Sequence, residues 1–281
     1  MNADPKTIAG FGQEWSHFPQ ATVDRDERQC AFEGYFRGFP WHLLPADGGC
    51  GADIGCGSGR WAALVAPRVR ELHLIDASEA ALGMARTALG GMRNVEFHNA
   101  SVDAMPLADG MLDFAYALGV LHHVPDTGAA LRSIVAKLRP GAPLLVYLYY
   151  AFDNRPAWYR TLWQISNSIR KIISRMPFIG RLAISTVIAV TVYFPLARVG
   201  SLIARAGKMP ANWPLAHYRG TSFYTMRTDA LDRFGTRLEK RFTREQIDSM
   251  LRNAGLVDVT FAESAPYWCV VGFKRNCNFE T

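Results

Sequence analysis

The chain predicts a doubly wound α/β fold, a mainly parallel sheet with helices on both faces, and three features carry that prediction. The first is the run Asp53-Ile54-Gly55-Cys56-Gly57-Ser58-Gly59, set where a short strand ends and a helix begins at Arg60-Trp61-Ala62-Ala63-Leu64. Alternating glycines let the backbone turn sharply and bring a ligand close to bare main chain. The second is Asp76, which ends the run Arg70-Glu71-Leu72-His73-Leu74-Ile75 about twenty residues past the loop. A doubly wound fold sets a carboxylate there to accept hydrogen bonds from ribose hydroxyls. The third is the continued alternation of short apolar strands with helical patterns as far as Tyr147.

The elements follow in order. Ser78 N-caps a helix from Glu79 to about Leu89. A strand at Val95-Glu96-Phe97 leads into Asn99–Pro106, and Leu112–Leu118 forms the next strand. Leu121-His122-His123-Val124 follows it, then a helix that closes in Lys137-Leu138-Arg139-Pro140-Gly141, then the strand Leu144–Tyr147. Far along the chain, Thr243 and Gln246 make a capping box for a helix from Arg244 to Ala254, and Gly255 ends it. Strands near Val257–Phe261 and Tyr267–Phe273 close the chain as a hairpin. An acid ahead of the glycines would repel a pyrophosphate and attract a cation or a hydroxyl donor. Arg60, where a dinucleotide fingerprint has its third glycine, leans the same way. Asp113 is expected to serve the fold by tying a turn or a neighbouring strand.

Taken in order, these residues resemble the class I S-adenosylmethionine-dependent methyltransferases, in the UbiE-like branch with a "PL-x-D-x-x-x-D" segment (Pro106 to Asp113), then "LHH" and "L-R-P-G" (Leu138 to Gly141). The likeness is dense over residues 50 to 147 and looser over 228 to 273. It implies a seven-stranded sheet and S-adenosyl-L-methionine as cofactor. It further implies that Asp53 and the backbone of Gly55, Cys56, Gly57 and Gly59 hold the methionine end. Asp76 would take the ribose and Ala77 would line the adenine. Ser101 and Val102 would cover the adenine's other edge, and Leu118 and Gly119 would offer main chain to the methionine moiety. Ser101 departs from the commonest pattern, an acid that accepts from the adenine amine, and its hydroxyl accepts more weakly. The sulfonium methyl is already a strong electrophile, so the protein has to bind, align and sometimes deprotonate. His123 is the candidate base, with a side chain that titrates in the useful range. A half-buried structural histidine is the plainer role for it.

Three regions are expected. Residues 1–47 form an N-terminal helical cover in which Trp15 and Tyr35 are candidates to close over the site, or ordinary packing aromatics. Residues 48–150 and 228–281 form the cofactor-binding core. Residues 151–227 form a basic helical insertion or lid. This insertion holds eleven Lys or Arg against the single acid Asp153, whereas the whole chain has a net charge of +6. Trp158, Leu162, Ile165, Ile169, Ile172, Ile173 and Met176 recur at helical spacing, with Arg160, Arg170, Lys171 and Arg175 off that stripe. An uncharged run, Leu182 to Ala197, is interrupted by Pro195 and is shorter than the ~20 residues of a membrane span. The stripe suits a lid over the active site, or a segment lying on an anionic membrane surface or gripping an anionic acceptor. Tyr224 and Arg227 are candidates to orient a small-molecule acceptor through its carboxylate or phosphate.

The rest narrows the class. Cys30, Cys50, Cys56, Cys269 and Cys277 form no C-x-x-C, which suits a reducing cytoplasm, and the seven histidines show no metal-ligand spacing. The N-terminal segment does not read as a signal peptide. Aliphatics rather than exposed aromatics interleave the charges, so nucleic acid is not the expected partner. Location is expected to be cytoplasmic, peripheral to a membrane if the insertion lies on one. Two rivals stand beside the methyltransferase: an NAD-dependent oxidoreductase, and a non-catalytic membrane-associated binding module.

Overall fold

A computed structural model describes residues 2–18, 24–210 and 212–276, with Cys277 outside them. The chain divides into two compact units, Met1–Gln20 with Ala31–Ala151 and Leu238–Thr281, and Ala21–Cys30 with Phe152–Arg237.

The first unit is built on a seven-stranded sheet. Its strands are β1 (Cys50–Ile54), β2 (Glu71–Asp76), β3 (Val95–Asn99), β4 (Phe114–Leu118), β5 (Pro143–Tyr147), β6 (Leu256–Phe261) and β7 (Cys269–Lys274), in the order β3-β2-β1-β4-β5-β7-β6. β1 to β5 pair in parallel, and β7 lies antiparallel to both β5 and β6. This is the Rossmann-like sheet of class I methyltransferases. The crossovers reverse direction between β1 and β4, and the crevice beyond the strand ends at that reversal is where open α/β sheets bind ligands.

Alternation along the strands builds two cores. Ala52, Ile54, Ala115, Ala117, Leu144 and Val146 face α5 (Thr127–Lys137) and α10 (Arg244–Asn253) through Leu131, Ile134, Ile247 and Leu251. Leu72, Leu74, Phe114, Tyr116 and Leu145 face α3 (Ala62–Val65), α4 (Glu79–Leu89) and the end of α2 (Arg25–Phe36), which brings in Phe32 and Phe36. Ser78 caps α4 by accepting from Ala81 N at 3.3 Å, and Thr243 and Gln246 form the reciprocal capping box of α10.

The family-like acids outside the glycine loop serve this frame. The Asp113 carboxylate is buried, accepts from Cys50 N at 2.8 Å and pairs with Arg139 of the L-R-P-G run. Asp109 pairs with Lys137 at 2.7 Å. Thus the "D-x-x-x-D" and "L-R-P-G" segments fasten the β4 entrance to the end of α5, as expected for Asp113.

Between Phe152 and Arg237 the chain leaves this unit and returns to it through one stem. Tyr150 bridges Phe242, Ala151 N donates to Phe242 O at 2.9 Å, and Phe242 N donates to Tyr149 O at 2.9 Å.

The second unit is helical. α6 (Ala157–Ile173) is followed by α7 (Phe178–Ile188), a π-helical turn at Ala189–Tyr193 and α8 (Phe194–Arg205), which run as one helix. Pro195 therefore does not interrupt the uncharged run. It stands in the first turn of α8, where the preceding π-turn has already released the backbone from the regular ladder. The last helix, α9 (Phe223–Gly235), supplies Met226, Ala230 and Phe234 to a small core with Ile173, Ala189, Tyr193, Ala197 and Tyr218. By packing, the helical unit extends to Arg237, ten residues past the expected boundary at residue 227, because α9 contributes apolar side chains to its core. Glu27 also belongs here, accepting from Ser222 N at 3.2 Å.

Candidate cofactor site

The site grows from the ends of β1 and β2. Register sets Asp53 beside Tyr116 of β4, and the phenol donates to Asp53 Oδ2 at 3.0 Å. Both side chains are buried, and burial pushes the Asp53 carboxyl up to about 8 while the Tyr116 hydrogen bond pulls it back. Burial also raises Tyr116 well above its ordinary value, and the neighbouring Asp53 adds to that. A carboxylate so deep in protein has a driving force to acquire a cationic partner.

Gly55, Gly57 and Gly59 all adopt positive φ, the region that glycine enters without cost. The turn aims the Gly57 amide at Asp76, while the Gly55 and Cys56 amides donate to Ile75 O. Asp76 accepts from Gly57 N at 2.9 Å and from Ser78 N at 2.8 Å. Burial raises its pKa, and these two amides oppose the rise. Each carboxylate oxygen keeps a further lone pair for a hydroxyl donor. Ala77 lies half-buried beside it, and Cys56 is buried with its thiol pushed well up by burial.

Val102 and Leu118 are buried, and Gly119 follows β4 at positive φ, donating to Tyr147 O at 3.2 Å. Ser101 donates its hydroxyl proton to Asp103, so its lone pairs remain to accept. Asp103 also accepts from Asn2 N at 2.8 Å, and the Ser101 bond holds its carboxyl below the usual range. Sequence reasoning passed over Asp103, an exposed acid two residues beyond Ser101 on the adenine-side loop. Tyr116 was missed too. Its signal was the parallel register, which sets it across from Asp53.

The two aromatic candidates take different places. Trp15, on α1 (Pro5–His17), covers the loop: a β-carbon on Gly57 would stand 3.1 Å from its indole Cε2 and Cζ2 atoms. Tyr35 makes edge contacts with Trp61 at 5.2 Å and Tyr147 at 5.1 Å, and packs into the core under α3 and β5.

His123 is buried, and its Nδ1 donates to Leu238 O at 2.6 Å. That bond leaves Nε2 as the basic nitrogen of the neutral ring. Phe11 of α1 meets the ring edge-on at 5.0 Å, and His122 stands 4.1 Å away between His123 and Tyr149. His122 accepts from Tyr149 N, and burial holds its pKa well below the ordinary value, so it stays uncharged. Tyr224 and Arg227 both lie on α9 of the helical unit, half-buried.

One grouping escaped motif spacing. His73 Nδ1 lies 3.0 Å from His98 Nε2 and 3.4 Å from Glu96, near enough to share an ion. Cross-strand register, His73 opposite Glu96, assembles it in the middle of β2 and β3 rather than at the strand ends.

Comparison with known proteins agrees with the geometry. Residues 52–146 match the family model described as "Methyltransferase domain". An uncharacterised methyltransferase of Mycobacterium bovis is 27% identical over 122 residues, 43% of this chain and 61% of that protein. A ubiquinone biosynthesis O-methyltransferase of Albidiferax ferrireducens is 29% identical over 168 residues, 55% of this chain and 61% of its own length. The chain thus spans about three fifths of these curated relatives. Among solved structures, a chain from the complex of the Haloferax volcanii Trm112 methyltransferase activator with a methyltransferase matches with a TM-score of 0.52 at 12% identity, covering 98% of this chain and 100% of that one. That likeness is one of fold.

Proposed function

From a core that is a class I S-adenosylmethionine-dependent methyltransferase domain, we propose that this protein transfers a methyl group from S-adenosyl-L-methionine to a small anionic acceptor, sugar- or lipid-linked. One observation carries the reading: a buried carboxylate, Asp53, and a half-buried one, Asp76, flank a positive-φ glycine turn at the switch point of the sheet.

The residues fit the cofactor. Asp53, raised to about 8 by burial, suits the ammonium of the methionine end, whose charge would return it to the ionised form. Asp76 suits the two ribose hydroxyls, since the Gly57 and Ser78 amides fix its carboxylate plane and leave lone pairs outward. Ser101 with Val102 suits the adenine edge, and Leu118 and Gly119 the chain between. When bound, the cofactor supplies a methyl on a positively charged sulfur, a reaction that needs alignment and no covalent enzyme intermediate.

This chain's own work is then to orient and, for acceptors that carry a proton, to remove it. The Leu238 carbonyl fixes the His123 tautomer with Nε2 as acceptor, and Phe11 and His122 hold the ring in place. Trp15 stands against Gly57 and covers the loop. The charge of residues 151–227, eleven Lys or Arg against Asp153, supports an anionic acceptor. An oxidoreductase is disfavoured by the acid ahead of the glycines, which opposes a pyrophosphate. A non-catalytic module would have no use for two desolvated carboxylates around a ligand loop.

Calorimetry with S-adenosylhomocysteine tests the reading. The native protein is expected to bind it, and Asp76→Ala to lose about 1.5–3 kcal/mol for each ribose hydrogen bond, less what water restores. NADH binding in place of S-adenosylhomocysteine would overturn it.

A further inference from the structure

We infer that the helical unit docks on an anionic membrane by laying the outward faces of α6 and of the continuous α7–α8 helix into the lipid headgroup region. Apart from the buried Ile173, the stripe that the sequence marks on α6 is not a packed seam: Ile165 is 57% and Ile172 70% exposed, as are Trp158, Leu162 and Ile169 to similar degrees. The turn into α7 continues it with Ile179, 80% exposed. The α7–α8 helix repeats the pattern, with Val187, Val190, Phe194 and Leu202 exposed at three-, four- and eight-residue intervals while Ser185, Ala189, Tyr193 and Ala197 are buried on the other side. Leaving so much aliphatic surface in water has a cost, and contiguous patches of this kind mark interaction sites.

Charge identifies the occupant. Exposed Arg160, Lys171, Arg175, Arg198, Arg205 and Lys208 accompany these faces, and among the described residues no carboxylate pairs with any of them. Arg170 and Arg181 are otherwise engaged, donating to the carbonyls of Thr236 at 2.7 Å and Gly235 at 2.9 Å. Arg170 thus drops out of the basic set that the sequence placed off the stripe. Aliphatic rows with unpaired Lys and Arg beside them, and no acid between Arg155 and Arg227, suit anionic headgroups over a hydrocarbon boundary. Protein hot spots favour Trp, Tyr and Arg over small aliphatics, and apart from Trp158 and Phe194 the exposed apolar residues named on these faces are Ile, Val and Leu.

The helix Phe178–Arg205 is long and apolar enough to cross a membrane by length and composition. It lies in the interface rather than across, because its inner side packs on α9 through Met226, Ala230 and Phe234, and α9 carries Asp229, Asp232 and Arg233. Crossing would draw those charges into hydrocarbon.

Co-sedimentation of the full chain with vesicles tests this independently of the acceptor. Binding is expected to phosphatidylcholine vesicles containing phosphatidylglycerol at low salt, falling as salt rises, with little binding to phosphatidylcholine alone. Lys171→Glu with Arg175→Glu should lower partitioning about tenfold or more. Ile165→Asp with Ile172→Asp should abolish it while S-adenosylhomocysteine affinity stays native, which shows the core folded. No binding to anionic vesicles at low salt overturns the inference, as does native-like binding by the Ile→Asp variant. A solution dimer that the Ile→Asp changes dissociate, with no vesicle binding, assigns the face to a second copy instead. Resistance to alkaline carbonate extraction overturns the in-plane placement.

Discussion

The phenol of Tyr116 and the carboxyl of Asp53 are register partners on adjacent parallel strands, joined by a 3.0 Å hydrogen bond with neither group in reach of water. Burial favours the protonated acid at Asp53, and the phenol resists that preference without reversing it.

This pair gives the fold a pH dependence of definite sign. In the folded chain Asp53 holds its proton up to about pH 8, against an ordinary value of 3.8. Between those limits the native state binds the extra proton, so the stability it contributes is full below the unfolded value and is lost as pH rises through the folded one. Urea denaturation from pH 5 to 8 should show stability falling by up to about 1.4 kcal/mol per pH unit from this group, and Asp53→Asn should flatten the slope.

The same proton should leave when the cofactor arrives. A cation beside Asp53 favours the carboxylate, so S-adenosylhomocysteine binding near neutral pH should release up to about one proton. Calorimetry in buffers of different ionisation enthalpy reads that number directly. Asp53→Asn should bind more weakly and release none.

At Gly57, φ of +54° and the nearby indole of Trp15 act together. Gly57→Ala should cost about 1 kcal/mol in stability from the backbone and more in cofactor affinity, and Gly57→Val more again. Trp15→Ala should relieve the crowding but not the backbone strain, so a double-mutant cycle should return a non-zero coupling.

His123→Gln should reduce kcat by roughly 10²–10⁴ with cofactor affinity unchanged, if the acceptor must lose a proton on the way to methylation. A fall in melting temperature with specific activity preserved would instead make His123 a tie between the β4 end and the Leu238 segment.

Asp113→Ala should lower stability by about 2–3 kcal/mol, since it strips Cys50 N and Arg139 of a buried acceptor. S-adenosylhomocysteine affinity should be untouched. Thermal melts beside calorimetry separate the two readouts.

Much of this was legible before any coordinates. Positive-φ glycines, the β2 acid, the Ser78 cap and the Thr243–Gln246 box are local signals, and local chemistry fixes them. What stayed hidden depends on register and packing. Tyr116 reads as one more strand aromatic until β1 and β4 are paired. The His73–Glu96–His98 group has no contiguous spacing to betray it. Pro195 looks like a break because a sequence does not announce a π-turn ahead of it. The resumed resemblance at residue 228 put the insertion's end at residue 227, whereas the apolar side of α9 carries it to Arg237.

The stem at Tyr149–Ala151 and Phe242 has a consequence for how such a chain can change. Its two sides are joined before the segment Phe152–Arg237 departs, so the pairing of β5 with β7 is closed off from the length of chain beyond the stem. Residues can be gained, lost or exchanged outside that clasp without shifting β5 or β7 by a single position. A loop anchored at both feet closes at a cost that grows only slowly with its length. Selection can therefore rewrite the helices as a detachable cassette, retargeting the protein while the cofactor end is inherited whole.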